Sequence, residues 1–208
     1  MLILRDAWTR RPVHRHPYRW ASTEPGDLLT AAAADELAGS FPDGGFVRRD
    51  ESRRQDDKQY RNFTRVLVRP GSTPDDDLPA PWRRLVADLV GAEYRALIAR
   101  LLAQEPADAV ELRLVRHAAG DWLGPHTDRE DKLFSHILYF NPGWREEWGG
   151  CLEVLDGDDS TAVAGRVVPR LGASALIVQA PNSWHQVSRV RGQDVPDRRS
   201  LLVHGYRG

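Results

Sequence analysis

The amino-acid sequence predicts a mainly β domain with buttressing helices, a double-stranded β-helix of the jelly-roll, cupin-like kind. Three observations predict it. Apolar residues at sustained helical spacing occur only in the first half of the chain. After Glu105-Pro106 the pattern switches to alternation and stays so to the end. The metal-capable side chains stand in that alternating half, in strand-like contexts. At 208 residues the chain is long enough for one full core, and barrels of this size commonly stay undivided. The expectation is a single domain over 1–208, with helical support over about 1–108 and a barrel core over about 109–208.

Taken in order, residues 1–20 hold Trp8, His14, His16, Tyr18 and Trp20 among arginines and read as a strand or arm packed on the barrel. His14-Arg15-His16 imitates a metal pair, but no carboxylate follows in register. Asp27 can cap a helix running through Leu28, Leu29, Ala32, Leu37 and Ala38, ended by Pro42 and Gly44-Gly45. Arg48 to Lys58 is a mixed-charge surface loop, and Tyr60 to Val68 alternates as a strand. Asp75-Asp76-Asp77 reads as a solvated loop. Pro81-Trp82 opens a helix, and Leu85, Val86, Leu89, Val90, Leu97, Ile98, Leu101 and Leu102 keep a period near 3.6 as two helices breaking at Gly91. Their apolar stripe is suited to covering the outside of a sheet.

The formal net charge is −1, which gives no electrostatic reason for a polyanion partner or an acidic membrane surface. Only Lys58 and Lys132 are lysines; the remaining positive charge is arginine. A single cysteine, Cys151, excludes an internal disulfide and fits a reducing compartment. The start has too short an apolar run for a signal-peptide core, and no window approaches a membrane span of about 20 apolar residues. The expected setting is cytoplasmic, without membrane or nucleic-acid partners. Nothing in the sequence specifies an oligomeric state.

Candidate chemistry starts at His126-Thr127-Asp128. On an extended segment residues i and i+2 point the same way, so an imidazole and a carboxylate converge. His185, on a later strand-like segment, offers a third ligand. Two histidines and one carboxylate suit non-haem Fe(II) and leave positions open for other ligands. Further on, Arg198-Arg199-Ser200 opens an apolar strand on which Arg198, Ser200, Leu202 and His204 share a face. A guanidinium fork pairs with both oxygens of a carboxylate.

The order His-x-Asp, late His, then Arg-x-Ser, over about residues 110–206, resembles the iron- and 2-oxoglutarate-dependent oxygenases, closest to their prolyl-4-hydroxylase-like branch. The resemblance implies Fe(II) at His126, Asp128 and His185, with 2-oxoglutarate and O2 on the remaining positions and ascorbate as a reductant. It assigns Arg198 to the C5 carboxylate of 2-oxoglutarate and Tyr139, before Phe140-Asn141, to the same end of the molecule, with Ser200 beside them. His117 stands where a tyrosine is usual; it either donates to 2-oxoglutarate or is a core histidine satisfied by a backbone carbonyl. His204, where relatives often carry tryptophan, is expected near the cosubstrate floor. Gly149-Gly150 resembles the family's start of the next strand, and Cys151 reads as core.

The implied activity is hydroxylation of an unactivated C–H bond with release of succinate and CO2. The net charge, and the loops 43–59 and 141–148 as the only evident lids, point to a small polar metabolite, with peptidyl, prolyl-type hydroxylation as the alternative. Trp122, Trp184, Arg61 and Asn62 are candidates for the substrate mouth. Two rivals carry less: a cupin-like binding or sensor barrel leaves an intact ligand set unused, and a zinc hydrolase leaves Arg198 without a purpose.

Overall fold

A computed structural model describes residues 11–51, 58–75 and 77–207. Trp8, the 52–57 part of the charged run and Asp76 lie outside the described residues. Eleven antiparallel strands form one sheet that curls into a nearly closed barrel. They are β1 (Trp20–Thr23), β2 (Val47–Asp50), β3 (Tyr60–Val68), β4 (Ala109–His117), β5 (Trp122–His126), β6 (Lys132–Tyr139), β7 (Leu152–Leu155), β8 (Val163–Val167), β9 (Ser174–Val178), β10 (His185–Val187) and β11 (Arg198–Tyr206). Their order is β1-β9-β6-β11-β4-β3-β5-β10-β7-β8, and β2 pairs with β3 off this path.

Alternation sorts the side chains of each strand between two cores. On β6, Phe134 and Leu138 point out to a cluster shared with the helices, while Ile137 and Tyr139 point into the barrel. On β9 and β11, Leu176, Leu201 and Val203 face the helices, and Ala175, Ile177 and Leu202 face inward. A one-residue slip would exchange the two sets, so burial on both faces pins the register.

The outer core is closed by α1 (Ala31–Gly39), α2 (Ala80–Val90) and α3 (Ala92–Leu102). α2 starts with Pro81 in its first turn, and Gly91 ends it with an extended backbone, so the chain restarts as α3. Trp82 is fully buried against Phe41 and Phe140 and donates its indole N–H to the Leu37 carbonyl at 3.1 Å. Truncating such a residue costs about 3–5 kcal/mol. A buried polar chain links α3 to the sheet: Tyr94 Oη lies 2.8 Å from His136 Nδ1, His136 Nε2 lies 3.1 Å from Ser174 Oγ, and Ser174 Oγ lies 2.8 Å from Thr23 Oγ1. Among the described residues no helix is long and apolar enough to cross a membrane.

Three expectations change. The first helix begins at Ala31, where the Thr30 hydroxyl accepts from Ala33 N–H. Asp27 instead accepts from Glu24 N–H and pairs with Arg11, so Leu28 and Leu29 are buried in the approach to the helix. Within the supposed charged loop, Val47–Asp50 is a strand held by ladder bonds to β3, and Arg48 pairs in bidentate fashion with buried Asp121 at 2.7 and 2.8 Å. Finally, the first 108 residues are not helical support alone. β1 adds to the sheet beside β9, and β3 lies between β4 and β5 in the barrel wall.

Candidate active site

His126 is the last residue of β5, Asp128 follows just past its end, and His185 opens β10 directly opposite His126. Antiparallel pairing therefore brings together residues far apart in sequence. One ligand atom from each of the three lies within 4.8 Å of the others, and all three residues are buried. His126 Nδ1 lies 3.0 Å from the Gly124 carbonyl and His185 Nδ1 2.9 Å from the Ser183 carbonyl. A carbonyl only accepts, so in both rings Nδ1 carries the proton and Nε2 presents its lone pair. Burial holds His126 well below the usual histidine range and lowers His185 as well. Both are thus neutral at pH 7, as ligands must be. Burial pushes Asp128 up, but the opposing influences, led by the Lys132 ammonium, outweigh it and leave the carboxyl well below its ordinary value.

Both carboxylate oxygens of Asp128 are engaged. Lys132 Nζ donates to Oδ1 at 2.7 Å, and Ser135 Oγ donates to Oδ2 at 2.6 Å. The single hydroxyl proton of Ser135 is spent there, so its contact with His204 Nδ1 at 2.7 Å is one in which the ring donates. Such outer hydrogen bonds fix the orientation of a ligating group. His204, expected near the cosubstrate floor, is instead part of the support for Asp128, because Ser135 and His204 are direct cross-strand partners on β6 and β11.

The second half of the site surrounds Arg198, which is 1% exposed. Its Nε donates to the Gly150 carbonyl at 2.6 Å, Nη1 contacts Ser200 Oγ at 3.2 Å, and its Cζ stacks 5.0 Å from the Tyr139 ring. Gly149 and Gly150 both have positive φ, and a Cβ on Gly149 would sit 2.2 Å from the Arg189 carbonyl. Only glycine allows that turn to present its carbonyl to Arg198. Arg198 Nη1 lies 3.5 Å from His117 Nδ1, a contact in which the guanidinium donates, so the proton of the neutral ring belongs on Nε2. That Nε2 and the Tyr139 hydroxyl are buried without partners. Burial, with the Arg198 charge, keeps His117 well below its usual value, and burial raises Tyr139 to about 12. Three buried donor groups thus gather with no acceptor anion among the described residues. A buried charge in that state is costly unless paired, and a carboxylate matches the vacant donors.

A cavity of about 460 Å³ joins the two halves, with His126, Asp128 and His185 in its lining together with His117 and Arg198. The residues present fit a metal, through two free Nε2 lone pairs and one carboxylate, and a cosubstrate carboxylate, through Arg198, His117 and Tyr139. Ser200 stands under Arg198 with its hydroxyl turned to that side chain and the strand backbone. Of the expected mouth residues, Asn62 is among those lining the cavity. Arg61, Trp122 and Trp184 are not: Arg61 pairs with Asp50 on the opposite face of β3, Trp122 lies under the Arg189 guanidinium at 3.9 Å, and the Trp184 carbonyl accepts from Tyr18. Trp144, in the supposed 141–148 lid, is packing: it is buried and donates to the Gly149 carbonyl.

Sequence reasoning missed Lys58, Lys132, Ser135 and Arg113 as site residues. One signal was available. In a chain whose positive charge is nearly all arginine, the only two lysines both line this cavity.

Comparison with known proteins agrees with the geometry. Residues 112–204 match the family model described as the 2OG-Fe(II) oxygenase superfamily. Over 109 residues, 48% of this chain, the sequence is 30% identical to Prolyl 3-hydroxylase sudestada1 of Drosophila melanogaster. The match spans only 20% of the length of that relative, and the same share of Prolyl 3-hydroxylase OGFOD1 of Mus musculus, which is 24% identical over 110 residues. The fold resembles a prolyl-4-hydroxylase of Pseudomonas putida, with a TM-score of 0.66 at 19% identity over 91% of this chain and 92% of that one. It also resembles a Trichoplax adhaerens prolyl hydroxylase solved with a hypoxia inducible factor oxygen degradation domain peptide fragment, with a TM-score of 0.65 at 12% identity over 90% of this chain and 83% of that one. The match to the 2OG-Fe(II) oxygenase superfamily, a family that uses Fe(II), 2-oxoglutarate and O2, thus runs through the ligand-bearing strands of a barrel with the fold of a prolyl-4-hydroxylase.

Proposed function

We propose that this chain is an Fe(II)- and 2-oxoglutarate-dependent hydroxylase acting on prolyl residues within a peptide. One observation carries the substrate reading. The cavity at the metal-capable residues is bordered by a surface groove of about 600 Å³, and Arg49, Thr64, Val66 and Arg69 line both. A free metabolite needs only the inner cavity, whereas an extended chain occupies cavity and groove together. The names of the relatives point the same way, since two are prolyl 3-hydroxylases and one was solved with a peptide. The expected small polar metabolite is therefore replaced by the peptidyl alternative. That expectation rested on overall charge and on two closing loops, of which one contains the paired strand β2 and the other the buried Trp144.

In this reading His126, Asp128 and His185 hold the iron, and Arg198, Tyr139 and His117 hold the C5 carboxylate of 2-oxoglutarate, with Ser200 steadying Arg198. When bound, the iron and cosubstrate supply the oxidising power, coupling decarboxylation of 2-oxoglutarate to succinate and CO2 with insertion of one oxygen atom of O2 into a C–H bond. The chain does the rest. Neutral imidazoles keep their lone pairs, and Lys132 and Ser135 fix the plane of the Asp128 carboxylate. The low local dielectric strengthens the Arg198 contact, while Tyr139, raised to about 12, stays protonated as a donor at neutral pH. Val115, Ile137, Leu152, Val187 and Leu202 give the cavity apolar walls that limit water around the target carbon.

The test is succinate release with a panel of proline-containing peptides against free amino acids and small metabolites, scored by a mass gain of one oxygen on the substrate. Turnover stimulated by free metabolites alone would overturn the peptide reading and leave the metal and cosubstrate roles standing.

A further inference from the structure

Resting on the prolyl-hydroxylase reading, we propose that the substrate carries an acidic side chain next to the target proline, held by a cationic wall of Arg49, Lys58, Arg69 and Arg113. Six bases line the inner cavity, the four just named together with Lys132 and Arg198, against two carboxylates, Glu111 and Asp128. A bound Fe(II) and a bound 2-oxoglutarate dianion cancel each other, so the excess of positive charge persists in the loaded site. It is local, because the whole chain has a net charge of −1. A cleft lined by one sign of charge focuses its field on whatever enters.

Three of these bases form no ion pair among the described residues. Lys132 is committed to Asp128 and Arg113 to Glu111, and Arg198 belongs to the cosubstrate. Among the described residues no ion pair engages Arg49, Lys58 or Arg69. Arg113 Nε, moreover, is buried without a partner despite the Glu111 contact. Lys58 is half-buried, and burial lowers its ammonium to about 8, with Asp128 resisting the shift. A bound carboxylate would offset that cost.

The position of the charge narrows the substrate. Beyond the shared Arg49 and Arg69, the outer groove adds Asp43, Asp75 and Asp77 against one further base, Arg65, which is tied to Asp75 at 2.6 Å. The unbalanced charge therefore sits beside the metal-capable residues and not along the groove. An acidic residue within about two positions of the proline meets it, since an extended chain advances roughly 3.3 Å per residue. A nucleic-acid backbone would have to lay further phosphates along the acidic outer groove and is disfavoured.

The experiment compares one proline peptide in three forms, with Asp or Glu, with Gln, and with Lys at the positions flanking the proline. The readouts are kcat/KM for the hydroxylated product and, separately, the 2-oxoglutarate dissociation constant with Fe(II) under anaerobic conditions. The expected result is a preference of about tenfold or more for the acidic over the lysine peptide, shrinking as salt rises. Arg69→Glu should reduce or invert that preference without changing the 2-oxoglutarate constant, and Lys58→Glu should reduce or invert it as well. Equal kcat/KM for acidic and lysine peptides, or a preference untouched by both charge reversals, would overturn the proposal. Equal hydroxylation of acidic peptides lacking proline, or of small dicarboxylic acids, would instead sink the prolyl reading and leave the anion preference supported.

Discussion

Replacing Arg198 by alanine should nearly abolish the stabilisation of this protein by 2-oxoglutarate, and the structure sets the size of the effect. The guanidinium is 1% exposed, its neighbours Ser200, His117 and Tyr139 are neutral, and it has no carboxylate partner among the described residues. Losing a charge-assisted hydrogen bond costs about 1.5–3 kcal/mol, or roughly 10- to 150-fold in affinity. At 2-oxoglutarate one hundred times its dissociation constant, the wild-type protein with a redox-inert divalent metal gains about 2.7 kcal/mol, which for a chain of this length raises Tm by about 5–11 °C. If Arg198→Ala weakens binding by about a hundredfold, the same concentration gives only about 0.4 kcal/mol and about 1 °C. The assay is a melting curve at several 2-oxoglutarate concentrations, with Arg199→Ala as control. Arg199 lies on the other face of β11, over the Phe41 ring at 5.2 Å, and its removal should leave the ligand-induced shift intact. A full shift in Arg198→Ala, or equal loss in both variants, would refute the assignment of this guanidinium to the cosubstrate.

Ser135→Ala, which frees one oxygen of Asp128 and strands the His204 N–H, should weaken Fe(II) or Mn(II) binding by about 10- to 100-fold in a calorimetric titration; unchanged affinity would mean that Lys132 alone orients the carboxylate. Gly149→Ala should cost stability beyond the roughly 1–2 kcal/mol of a left-handed backbone alone and weaken 2-oxoglutarate through Arg198, whereas Gly143→Ala, with a similar φ but open space around it, should cost only that backbone strain and leave 2-oxoglutarate binding intact; equal losses in urea unfolding would show that φ and not the Arg189 contact matters. His136 is held at about 3 by burial, against an ordinary 6.5, so the unfolded chain binds the extra proton and stability falls as pH drops from 6.5 toward 3. His136→Gln should flatten that decline by up to about 1.4 kcal/mol per pH unit, and an unchanged slope in urea melts between pH 4.5 and 7 would remove His136 as a source of acid sensitivity.

What the sequence by itself determined was whatever depends on local periodicity and short spacing. Alternation along β11 assigned its inward face correctly, because side chains on a strand repeat every two residues whatever the strand pairs with. The same rule put His126 with Asp128, and Arg198 with Ser200 and His204, on common faces. Gly91 and Pro81 marked helix ends because they act on their own backbone. Only the tertiary structure decided what lies opposite what. That Thr30 and not Asp27 caps the first helix turned on which carboxylate Arg11 and Glu24 N–H engage. Ser135 meets His204 because β6 and β11 are paired at that register, and Lys58 meets the cavity because β3 is a barrel strand and not an outlying one. The groove that shifts the substrate reading from metabolite to peptide is a space between segments, and no single segment records its shape. The overall charge of −1 could not reveal the cationic wall either, since a sum over 208 residues is blind to which of them the fold turns toward one cavity.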